Sequence, residues 1–185
     1  MISVDSNDVR RISNQLDFFY TAFRCYFYFS IINTANLNGH QCQEFWRLQR
    51  YALFHSLVFN WCELFIPGTE NNHWRELTIE CPEYTKVFYE SSGFNYVEWT
   101  QYRNYINEVK NSFLTFPDLY HHQEFTFDLH GIESSLRITQ QWLNALLLNK
   151  KNKVNVKDLE KWPIKEQNYA EKLQEEVTRL FQNSC

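Results

Sequence analysis

Apolar residues recur at intervals of three and four along most of this chain, which is the spacing of helices with one buried face. The pattern predicts long helices over about 8–36, 40–66, 95–115 and 129–149, with a broken helical segment between 72 and 90. Prolines and glycines fall mainly between these stretches, where helix breakers belong. We therefore expect an all-α fold, an up-and-down bundle of four to five long helices.

Each long helix has an expected core face. The stripe of the first helix consists of Ile12, Leu16, Phe19, Phe23, Phe27 and Ile31. The second helix has a heptad-like seam of Phe45, Leu48, Ala52, His55, Phe59, Cys62 and Ile66. The rest of this helix is apolar too, at Leu53, Leu57, Val58, Trp61 and Leu64, so we expect it in the middle of the bundle. The seam of the third long helix is Trp99, Tyr102, Ile106, Val109 and Phe113, and that of the fourth is Leu129, Ile132, Leu136, Leu143 and Leu146.

The C-terminal part of the chain has a different pattern. A lysine-rich connector occupies 150–157, and Pro163 suits the first turn of a last helix, which is narrowly amphipathic. We expect this helix to pack on the bundle or on a partner. The predicted organisation is thus a bundle over 1–150 and a connector with a C-terminal helix over 151–185.

Composition narrows the class of protein. Aromatic residues make up 18% of 185 residues and the formal net charge is −4, which excludes a disordered chain and argues against a dedicated duplex-binding module. The five cysteines include no CxxC pair, so we expect neither a zinc knuckle nor a disulfide framework. No stretch is apolar enough to cross a bilayer, and the expected location is the cytoplasm.

A polar line runs through the apolar second helix. Ser56, Asn60 and Glu63 fall on one face at helical spacing. A buried carboxylate needs a partner, and the next long helix offers a polar stripe that comprises Arg103, Asn107, Lys110 and Asn111. These residues form either a satisfied polar layer that fixes helix register or the core of a ligand-binding or active site.

Two further clusters contain residues that can bind ligands. Residues of metal-binding type gather in and after one loop, namely Asp118, His121, His122, Asp128 and His130. Their spacing matches no metal signature, so we predict neither a metal nor another cofactor. The basic side chains of Lys150, Lys151 and Lys153 could contact a nucleic-acid backbone, or they belong to a solvated linker.

Four consecutive segments of the chain resemble the HEPN superfamily, in its abortive-infection (AbiU-like) branch. They are the run from Phe45 to Phe65, the loop that contains Asn72–Leu77, the broken short helix and the long helix after it. The resemblance covers about residues 10–150 and lies in the order and pattern of the helices. It implies a helical bundle that forms dimers. Many HEPN proteins are metal-independent ribonucleases of toxin–antitoxin and antiviral systems, whose signature is an arginine followed a few positions later by a histidine.

Lys110 and Phe116 stand where the resemblance places that arginine and histidine. Lysine keeps the charge but lacks the bidentate fork, and phenylalanine cannot transfer a proton. The resemblance therefore implies a catalytically degenerate protein that acts by binding RNA or a partner protein. Arg50 and His55 have the signature spacing on the second helix, so an endoribonuclease that uses this pair, or a site remodelled around Lys110, is the alternative.

The expected partners follow from the same resemblance. They are a second copy of the chain, a cognate antitoxin or other protein, or RNA, in a prokaryotic defence setting and without a membrane. A structural adaptor with no nucleotide ligand is a third hypothesis.

Overall fold

The computed structural model describes residues 6–34, 42–66, 86, 88–90, 92–115, 129–139, 175 and 179. Within this part of the chain, 93% of the residues are helical and there is no strand, which confirms the predicted all-α class. The helices used below are α1 (Ser6–Thr34), α2 (Gln43–Phe65), α3 (Tyr96–Thr115) and α4 (residues 130–139). The predicted residues 140–149 of the fourth helix lie outside the described residues.

Helices α1 and α2 pack together in opposite directions. The ring of Phe29 lies 5.0 Å from that of Phe54, centroid to centroid. Four residues earlier on α1, the Cys25 thiol neighbours the Ser56 hydroxyl, which is further along α2. As residue numbers rise along α1, those of the contacting residues on α2 fall, so the two helices are antiparallel.

Helix α3 runs antiparallel to α2 on another side. Tyr51, near the start of α2, contacts Phe113, near the end of α3, at a centroid distance of 5.7 Å. Phe65, the last residue of α2, contacts Trp99, near the start of α3, at 5.6 Å. The three helices thus follow the up-and-down order that the sequence predicts.

Helix α4 is fixed to both α2 and α3 by buried hydrogen bonds. The indole Nε1 of Trp61 donates to Ser135 Oγ at 2.9 Å. The backbone N–H of Ile132 donates to the hydroxyl of Tyr102 at 3.1 Å. Polar atoms inside an aromatic core are costly unless they are bonded, so these two pairs favour a single placement of α4.

The start of α3 has a reciprocal cap. The Asn95 side-chain oxygen accepts from the backbone N–H groups of Val97 and Glu98, at 2.9 Å and 3.0 Å. The Glu98 carboxylate in turn accepts from the backbone N–H of Asn95 at 2.8 Å. This capping arrangement satisfies amides that lack helical acceptors and defines where α3 begins.

The predicted core faces are confirmed to different degrees. All five seam residues of α3 are buried, as are Ile132 and Leu136 of α4. On α1, the predicted stripe leaves the core after Phe23: Phe27 and Ile31 are only half-buried. The buried face continues instead through Cys25, Phe29 and Ile32. Successive steps of four residues rotate a stripe by about 40° each, which carries Phe27 and Ile31 to the edge of the contact.

The heptad-like seam predicted for the core of α2 is wrong in its first half. Phe45 and Leu48 are 53% and 43% exposed, and Ala52 is exposed as well. The buried residues of α2 are Trp46, Phe54, Leu57, Val58, Trp61, Cys62, Leu64 and Phe65. Because α2 is apolar on several faces, its periodicity permits more than one core face, and the packing of α1 and α3 selects another.

Candidate functional site

Lys110 of α3, the residue at the expected arginine position, lies opposite Glu63 of α2. Its Nζ donates to Glu63 Oε1 at 3.4 Å, and the same Nζ lies 5.3 Å from the centroid of the Phe59 ring. The Lys110 and Glu63 side chains are 21% and 41% exposed, so the pair sits at the margin of the α2–α3 contact. The ammonium group is therefore already matched by a carboxylate and an aromatic face.

His55 lies among aromatic rings. Its imidazole stacks on Phe59 with centroids 4.3 Å apart and planes at 29°, and the Phe113 ring meets it edge-on at 5.3 Å. Tyr51 lies one turn earlier, at 6.2 Å. Burial lowers the pKa of His55 below its ordinary value of 6.5. At neutral pH the ring is therefore uncharged and serves as part of an aromatic row.

On an α-helix, the spacing of Arg50 and His55 directs the two side chains to different sides of α2. Residues five apart on an α-helix are separated by roughly 140° around the axis and by about 7.5 Å along it. Arg50 is half-buried, and the ring contacts of His55 among the described residues are Tyr51, Phe59 and Phe113. Phe116, the other residue of the degenerate pair, lies outside the described residues.

The polar line of α2 divides between two neighbouring helices. Asn60 Nδ2 donates to the carbonyl oxygen of Ser56 at 2.7 Å and lies 3.4 Å from its hydroxyl. Ser56 in turn neighbours Cys25 of α1, whose thiol pKa is raised by burial and lowered to a smaller extent by the Ser56 hydrogen bond. Glu63 instead faces Lys110 of α3. The three polar residues therefore do not form one layer.

Arg103 interacts with the end of α2. It is a buried residue of α3, 8% exposed, and its Nη1 donates to the carbonyl oxygen of Phe65 at 3.4 Å. The last carbonyls of a helix lack helical donors and carry partial negative charge, which a guanidinium satisfies. Of the other two predicted polar residues on α3, Asn107 is half-buried and Asn111 is exposed.

The remaining candidate residues are mostly not described. Lys150, Lys151, Lys153 and the loop residues before Leu129 lie outside the described residues, while His130 is exposed at the start of α4. Within the described ranges, no group of three or more histidine, cysteine, aspartate or glutamate side chains could hold a metal ion. The same part of the chain includes no helix with the length and apolar character required to cross a membrane.

Sequence reasoning missed a hydrogen-bonded group between α1 and α4. The Tyr26 hydroxyl donates to Glu133 Oε2 at 2.5 Å, and Arg137 contacts the other oxygen of Glu133 at 2.8 Å. Burial and the hydrogen bond to Glu133 raise the pKa of Tyr26. Burial also raises the pKa of Glu133, but the bonds from Tyr26 and Arg137 outweigh it and leave that pKa below its ordinary value. Only the spacing of Glu133 and Arg137 was visible in the sequence.

Comparison of the chain with models of protein families, with curated proteins and with solved structures gives no match.

Proposed function

We propose that this protein acts by binding, as a HEPN-like helical protein of the prokaryotic cytoplasm whose ribonuclease pair is degenerate. Its ligand would be a partner protein, including a second copy of the chain, or RNA, in a defence or toxin–antitoxin setting. The strongest support comes from the contacts of the two candidate catalytic side chains. Lys110 is paired with Glu63, and His55 is stacked among aromatic rings.

The chemistry of RNA cleavage explains why these states favour binding. Attack by a 2′-hydroxyl needs a group that moves a proton and a cation that stabilises the phosphorane. Lys110 would have to leave a carboxylate and an aromatic face to reach a phosphate. His55 is neutral and could accept a proton, but Arg50 leaves α2 in a different direction. A reaction at either place would therefore need side chains to rearrange first.

The test is an RNA-cleavage assay on the full chain in the presence of EDTA. We expect no cleavage by the wild type above that of a mock preparation. Cleavage that is lost in His55→Phe or Arg50→Ala, with helical content unchanged, would overturn the proposal and establish the endoribonuclease alternative. His55→Phe is chosen because it keeps a ring in the aromatic row.

Binding is measured on the same preparations. RNA titration of Lys110→Ala is compared with Lys86→Ala, which removes an exposed lysine that pairs with Glu90 one turn along the same helical segment. Selective loss of RNA binding in Lys110→Ala would identify RNA as the ligand. If wild-type protein neither binds RNA nor associates with itself or a co-expressed neighbouring gene product, a binding function is contradicted.

A further inference from the structure

We draw no further inference here: the strongest candidate, the exposed apolar face of Phe45, Leu48 and Ala52 at the start of α2, carries none because nothing in the described part of the chain shows what covers it.

Discussion

The ring of Tyr102 lies directly against the backbone of Gly131, so close that a β-carbon at residue 131 would stand 2.5 Å from two of its ring atoms. This approach allows the Tyr102 hydroxyl to accept the N–H of Ile132 at the first turn of α4. Gly131, which lies within a helix where glycine is usually disfavoured, is therefore required by the packing between α3 and α4.

We predict that Gly131→Ala destabilises the protein by about 1–3 kcal/mol, the usual cost of overpacking a core. The added methyl group must push the Tyr102 ring away and weaken its hydrogen bond. Urea unfolding followed by circular dichroism measures the loss. Gly93→Ala is the control. In the part of the chain that the structure describes, no atom other than those of its chain neighbours lies within 4 Å of a β-carbon there, but φ is +74°, so its cost of about 1 kcal/mol is backbone strain. Gly93→Asn should recover part of that cost, whereas a neutral Gly131→Ala would contradict the packing.

The Lys110–Glu63 pair should contribute little to stability. Both side chains are partly exposed, and such pairs contribute roughly 0.2–1 kcal/mol. We expect a double-mutant cycle of Lys110→Met and Glu63→Gln to give a coupling energy in that range, decreasing as salt is raised. A coupling above about 2 kcal/mol would indicate a buried ion pair and would contradict the geometry described above.

The Tyr26–Glu133 hydrogen bond should affect stability at both ends of the pH range. The pKa of Glu133 is below its ordinary value of 4.5, so its contribution is present above pH 4.5 and is lost as the pH falls through the lowered pKa. The pKa of Tyr26 is above its ordinary value of 10.0, so its contribution is present below pH 10.0 and is lost as the pH rises through the raised pKa.

We therefore predict that Tyr26→Phe lowers the free energy of unfolding by about 1–2 kcal/mol at neutral pH. It should also flatten the profile of stability against pH at both its acid and its alkaline edge. Thermal unfolding from acid to alkaline pH measures this. Arg137→Gln should flatten the acid edge of this profile, to a smaller extent than Tyr26→Phe, because Arg137 also contacts Glu133. It should not flatten the alkaline edge, because Tyr26 still donates to Glu133. An unchanged profile in Tyr26→Phe would contradict the hydrogen bond.

His55 should make stability depend on pH near neutrality. Its pKa is lowered by burial, so the unfolded chain binds a proton below pH 6.5 before the folded protein does, and stability falls as the pH drops through that lowered value. We predict that His55→Phe removes this dependence and leaves stability at pH 8 nearly unchanged. The midpoint of thermal unfolding at pH 8 and at pH 5.5 checks both statements, with Gln43→Ala, at an exposed position of the same helix, as the control.

Periodicity predicted the fold better than the site. The α3 seam was predicted correctly at Trp99, Tyr102, Ile106, Val109 and Phe113, because most of the other positions of this helix are polar. The apolar exceptions are Tyr96, Val97 and Tyr105, which are exposed. On α2 the pattern is apolar all round and predicts burial on every side. It could not show that Phe45 and Leu48 stay exposed, because an apolar spacing does not say which neighbouring helix covers it.

Few contacts of the candidate site could be predicted from the sequence. The expectation that Glu63 has a partner on the polar stripe of the next long helix rested on the cost of burying a carboxylate. Lys110 of that stripe is the partner, although both side chains are partly exposed. The contact between Tyr26 and Glu133 joins residues separated by 107 positions, and nothing in either local pattern points to the other. Arg103 is a similar case, since its acceptor is a backbone carbonyl and not a side chain.

The antiparallel pairing of α1 with α2 has a consequence for the order of folding. These helices are neighbours in sequence, joined by residues 35–42, so their contacts close a short loop, whereas α4 reaches Trp61 and Tyr26 across separations of 74 and 107 residues. Contacts with short loops form at the smaller entropic cost. We expect Phe54→Leu, at the contact between α1 and α2, to slow refolding and Tyr26→Phe mainly to speed unfolding, as stopped-flow chevron plots would show. The antiparallel pair of α1 and α2 is then the folding nucleus, and the docking of α4 controls the lifetime of the native state.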